Sequence, residues 1–213
     1  MDGHENAQRA LRYILLEFAK HPFEYKAMAE YDMDNPGKEP AVALFFPDRP
    51  KAGQFDLRAG LKSFRRRVET IARETRMTVG EVKSIIFSHV SENLELAVSY
   101  KQDYLEFEEN ADIHSKAVGR KEKIEAVKKM AHTQILLLGR AFGTLESQKT
   151  LFRKMDLPFP KELQERLSKI ESLGSLKAQA LQEKFMHARR LLSKMEEREK
   201  QGRPGKKRFP KKP

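Results

Sequence analysis

Apolar positions recur at three- and four-residue spacing along most of the chain, as helices with one buried face require. The spacing predicts helix over residues 6–33, where Leu11, Leu15 and Phe18 share a face with Ile14 beside them. His21-Pro22 should divide it, because a residue before proline avoids helical backbone. Pro22 can then open a second short helix carrying Phe23, Met28 and Tyr31, and Asp34-Asn35-Pro36-Gly37 reads as a turn. Residues 40–52 set Val42, Leu44, Phe45 and Phe46 among prolines, which excludes a helix and a central strand and leaves a short strand or an extended arm.

The period changes at Gln54. Gln54, Asp56 and Arg58 alternate with Phe55 and Leu57, and period two predicts a short half-buried strand. Two helical stripes follow, Leu61, Phe64, Val68 and Ile71, then Val82, Ile85, Ile86, Val90 and Leu94. Thr78 stands between them with Glu81 three residues later, the spacing of a capping box. The order is strand, helix, turn, capped helix.

That order, over about residues 52–98, resembles the ribbon-helix-helix DNA-binding family of the Arc and MetJ type. The resemblance implies that strands from two chains pair into a ribbon that enters the major groove. Gln54, Asp56 and Arg58 would then face the bases, with Gln suited to adenine, Arg to guanine and Asp to cytosine. The amides near Val79 and Gly80 would meet a phosphate at the N-terminus of the second helix, with Gly80 leaving the approach open. Arg65 and Arg66, in the run Arg65-Arg66-Arg67, would supply one or two further phosphate contacts.

The same residues fit a second DNA-binding geometry. Glu69 to Ser88 suits a helix-turn-helix, with Ile71 and Ala72, then Thr78, then Val82 and Ile85. Val79, Lys83 and Ser84 would then read bases. Arg76 occupies the turn position where a left-handed backbone usually calls for glycine, which counts against this geometry.

Beyond residue 92 the pattern stays helical. Glu106, Glu108, Glu109 and Asp112 make it acidic, with Tyr100, Tyr104 and Phe107 interleaved. Residues 115–155 predict a long helix or helical hairpin with Ile124, Val127, Ala131, Ile135, Leu138 and Phe142 in one stripe. Gly139 and Gly143 on it would permit close helix approach. Leu157-Pro158-Phe159-Pro160 breaks the helix, and a last one runs from Lys161 to about Lys200 with a narrow apolar seam suited to a helix pair. The tail QGRPGKKRFPKKP is expected to be disordered. Its Arg203, Lys206, Lys207 and Arg208 would add salt-sensitive nucleic-acid affinity.

Charge sharpens the functional expectation. The 213 residues carry a net charge of +11, which suits a polyanionic partner. Its placement is uneven: residues 53–91 hold 8 basic and 4 acidic residues, and residues 92–112 hold 1 and 7. Residues 113–200 hold 20 and 11, and the tail holds 6 and none. With no Cys there is no disulfide framework or thiolate metal site. The N-terminus lacks a basic-then-apolar signal pattern, and the apolar run Ile135–Leu138 is far too short to span a membrane. A cytoplasmic protein is expected.

Catalytic and metal chemistry finds no foothold. The six histidines lack zinc-helix spacing, and His89 with Glu92 one turn away reads as structural. Gly202 to Lys206 lacks the spacing of a phosphate loop, and no G-x-S-x-G elbow occurs. No enzyme, cofactor or metal is expected.

The expected fold is mainly α: a ribbon-helix-helix-like module with one short strand, then long C-terminal helices and a disordered basic tail. The expected parts are 1–51, a small helical segment and arm; 52–112, the DNA-binding module; 113–200, a helical oligomerisation or partner region; and 201–213, the tail. The expected function is sequence-selective double-stranded DNA binding by a homodimer or higher oligomer, of a repressor, plasmid-maintenance or DNA-transfer accessory type. A helical RNA-binding or scaffold protein, binding through its basic C-terminal half, is the reading of another class.

Overall fold

A computed structural model describes residues 4–40 and 55–201. Among the described residues six helices follow in order: α1 (Glu5–Lys20), α2 (Pro22–Asp34), α3 (Leu57–Thr75), α4 (Val79–Lys116), α5 (Arg120–Lys154) and α6 (Lys161–Gln201). There is no strand among the described residues.

The expected strand is therefore overturned. Asp56 is the N-cap of α3, its Oδ1 accepting from the Arg58 amide at 2.9 Å and the Ala59 amide at 3.2 Å. Leu57, expected on a strand, begins the helix and is buried. The helical period explains why. Leu57 lies four residues before Leu61 and extends the apolar stripe backwards, and Asp is among the best N-caps. Capping satisfies amides that an unpaired strand would leave open. The ribbon-helix-helix module falls with its strand.

The described residues form two compact units. The first comprises residues up to Tyr100 together with Arg140–Ile170. Its core takes Leu11, Ile14 and Phe18 from α1, and Tyr25 and Met28 from α2. Leu61, Phe64, Val68 and Ile71 come from α3, and Val82, Ile86 and Val90 from α4. Leu151 and Phe152 from α5 complete it, with Leu157 beyond. Tyr25 packs edge-on against Phe64, with ring centroids 5.8 Å apart. The predicted break at His21-Pro22 is present: His21 leaves the helix at φ −133°, and Pro22 opens α2. The α5–α6 connection turns on Asp156, left-handed at φ 51°. Gln8 on α1 fastens it, its Nε2 donating to the Pro158 carbonyl at 2.6 Å.

The second unit holds Lys101–Gly139 and the chain from Glu171. Its described buried residues are small or polar: Asp103, Asn110, Ala117, Ala126, Ala131 and Thr133. Asn110 and Thr133 return their polar atoms to the backbone one turn back, to Glu106 O at 2.7 Å and Lys129 O at 2.9 Å. Among the described residues, a Cβ added at Gly139 would meet nothing within 4 Å. Gly143, in the first unit, lies against Leu96.

Candidate nucleic-acid interface

α3 ends and α4 begins across the three residues Arg76, Met77 and Thr78. Arg76 is left-handed, at φ 58° and ψ 25°. Its amide and that of Met77 both donate to the Ala72 carbonyl, the latter at 3.1 Å, closing the C-terminus of α3. Ile71, Ala72, Val82 and Ile86 are buried behind the turn, with Met77 and Ile85 half-buried against the same core.

On the far side, Thr78 and Glu81 form the expected capping box. The Thr78 amide donates to Glu81 Oε2 at 2.8 Å, the Thr78 hydroxyl to the same oxygen at 2.7 Å, and the Glu81 amide to Thr78 Oγ1 at 3.2 Å. These bonds, the side-chain one first, hold the Glu81 carboxyl below the ordinary carboxylate range. The N-terminus of α4 therefore carries its own anion, which opposes the phosphate assigned to it from sequence. Val79 is 40% exposed, and a Cβ added at Gly80 would stand in open space.

The outward face of α3 is basic. Lys62, Arg66 and Arg73 are exposed there, and Arg76 is exposed in the turn. No ion pair joins Lys62, Arg66 or Arg76 to an acid among the described residues. Glu69 interrupts the row, and Arg73 Nε lies 3.4 Å from Glu74. From Lys62 to Arg73 the ridge runs about 16 Å at the rise of an α-helix.

Other residues singled out from sequence have structural roles. Arg65 Nε donates to Asp32 Oδ1 at 2.5 Å, and its Nη2 donates to the Lys38 carbonyl. Lys83 Nζ lies 2.5 Å from Asp32 Oδ2, so the side chain expected to read a base is held inward. Arg58 Nη2 reaches the Pro40 carbonyl at 3.4 Å. Gln54, Arg203, Lys206, Lys207 and Arg208 lie outside the described residues. Arg66, Val79 and Gly80 remain exposed; Asp56, Arg65, Thr78 and Lys83 are engaged within the fold.

Sequence reasoning missed Asp32, whose burial depends on two cations from distant helices. It also missed the full ridge. The spacing of Lys62, Arg66, Glu69 and Arg73, opposite Leu61, Phe64, Val68 and Ile71, carried that signal.

His89 on α4 is buried, with Nδ1 3.5 Å from Asn93 Nδ2 and from Ser147 Oγ. Burial, opposed by Glu92 and aided by Lys154, lowers its pKa to about 4. No cluster of three His, Cys, Asp or Glu side chains able to hold a metal occurs among the described residues, and no helix there is long and apolar enough to cross a membrane.

Compared with protein-family models, curated proteins and solved structures, the chain matches none.

Proposed function

We propose that the chain is a double-stranded DNA-binding protein of helix-turn-helix geometry, with α3 as the supporting helix and the first turns of α4 as the reading element. The observation that carries this reading is the left-handed Arg76 in a three-residue turn, with the apolar residues of both flanking helices buried behind it. The feature that counted against a helix-turn-helix was arginine where the turn needs positive φ, and the backbone takes that conformation regardless. Val79 and Ser84 are the exposed candidates for base contact, Val79 toward a thymine methyl and Ser84 as a donor or acceptor. Lys62, Arg66, Arg73 and Arg76 supply phosphate contacts, which fix position without reading sequence. A second copy would bring a second reading element to the neighbouring half-site.

The test is selection of bound duplexes from a random pool, followed by gel shifts on the selected site. The triple variant Arg66→Ala/Arg73→Ala/Arg76→Ala should lose duplex affinity and flatten its salt dependence, by about 0.9 in log–log slope for each phosphate no longer neutralised. Unchanged affinity in that variant, or no preference for duplex DNA over duplex RNA, would remove this reading.

A further inference from the structure

A pocket of about 280 Å³ opens in the first unit between α1, α2 and α3, away from the turn. Its walls are aromatic: Tyr13, Tyr25, Phe55 and Phe64 all line it. Three charged groups line it: Asp56, engaged as the N-cap of α3, and two opposite charges, Glu17 on α1 and Arg67 on α3. No ion pair joins them among the described residues; Glu17 lies 3.5 Å from Lys20 instead.

Arg67 is the unusual member. Its guanidinium carbon lies 3.4 Å from the centroid of the Tyr13 ring, so one face of the cation is covered. Its Nε is shielded from solvent and donates to no acceptor among the described residues. A shielded donor on a charged group is costly unless something accepts from it. The Tyr25 hydroxyl feels both charges: burial and Glu17 raise its pKa well above the usual phenol range, and Arg67 opposes them. The pocket thus presents a cation with an unused donor, an anion, a buried hydroxyl and an apolar aromatic body. Its volume lies just below the range usual for drug-sized ligands, roughly 300–1,000 Å³, and suits a smaller one.

We propose that this pocket binds a free aromatic α-amino acid. The ligand carboxylate accepts from Arg67, its ammonium donates to Glu17, and its ring lies among Tyr13, Phe55 and Phe64. A zwitterion matches both charges at once, whereas a simple anion leaves Glu17 without a partner in the pocket and a simple cation leaves Arg67 without one. Phe55 lines the pocket beside Gly60 and His21. Its ring packs over Gly60, where an added Cβ would come within 2.7 Å of Phe55 Cζ, and lies 5.5 Å from the His21 ring. The inference does not rest on DNA binding.

Calorimetric titration of the full chain with L-phenylalanine and L-tyrosine tests it, with 3-phenylpropionate and phenethylamine as the deaminated and decarboxylated counterparts. Saturable binding of at least one amino acid is expected, with both counterparts weaker by about tenfold to a hundredfold, the worth of one charge-assisted hydrogen bond. Arg67→Met and Glu17→Gln should each weaken the amino acid by a similar factor. Absence of saturable binding by either amino acid overturns the proposal, as does a counterpart that binds equally well. If Arg67→Met fails to fold by circular dichroism, Glu17→Gln decides: wild-type affinity in that variant overturns the proposal.

Discussion

Asp32 Oδ1 accepts from Arg65 Nε at 2.5 Å, and this one hydrogen bond ties α2 to α3 through a wholly buried carboxylate. Lys83 Nζ, 2.5 Å from the other oxygen, ties in α4. Removing the shared anion strands two largely buried cations. Asp32→Ala should therefore cost about 3–5 kcal/mol in urea unfolding. Replacing all three groups together, as Asp32→Leu/Arg65→Met/Lys83→Met, should cost much less, because no uncompensated charge remains. A single variant as mild as the triple one would show that the charges do not act as a unit.

Arg76 holds positive φ against the preference of its own Cβ. Arg76→Gly should raise stability by about 0.5–1 kcal/mol, the relief of left-handed strain less the added backbone entropy of glycine. The same change removes a ridge cation, so duplex affinity should fall while the unfolding midpoint rises. Parallel movement of both would separate Arg76 from any phosphate contact.

Thr78→Ala should lower stability by about 1 kcal/mol, the usual cost of an N-cap, measured by thermal unfolding. It also removes the hydrogen bond from the Thr78 hydroxyl, the largest cause of the depressed Glu81 pKa. A depressed carboxyl pKa gives stability that is present above the unfolded value of 4.5 and lost as pH falls through the folded one. The wild type should show that acid loss, and Thr78→Ala should show less of it. Glu81→Gln, which removes the anion at the α4 N-terminus, should strengthen duplex binding in gel shifts.

His89 has the opposite proton linkage to a paired histidine. Its pKa falls from 6.5 in the unfolded chain to about 4 in the fold, so the unfolded state binds the proton first. Stability should be full above pH 6.5 and decline as pH falls toward 4, by on the order of 3 kcal/mol in total. His89→Gln should flatten that decline. A decline of equal depth in the variant would assign it to other groups.

The sequence determined much of this protein by itself. The faces of α1 and α3, the proline break at His21-Pro22 and the box of Thr78 with Glu81 all follow from local rules, because each depends on residues within one or two turns. The region around Asp56 misleads for the same reason. Five residues of alternation fit a strand, and the better account needs Leu57 counted with Leu61 as one helical stripe. Tertiary structure alone decided which cations are free. Arg65 and Arg66 are neighbours in the chain, yet one is drawn to Asp32 and the other faces outward. Lys83 reads as a surface lysine until α2 brings Asp32 to it. Likewise the pocket at Arg67 exists only where α1 lays Tyr13 and Glu17 beside α3. A charge takes its role from the group that desolvates or pairs it, and that group stands on another helix.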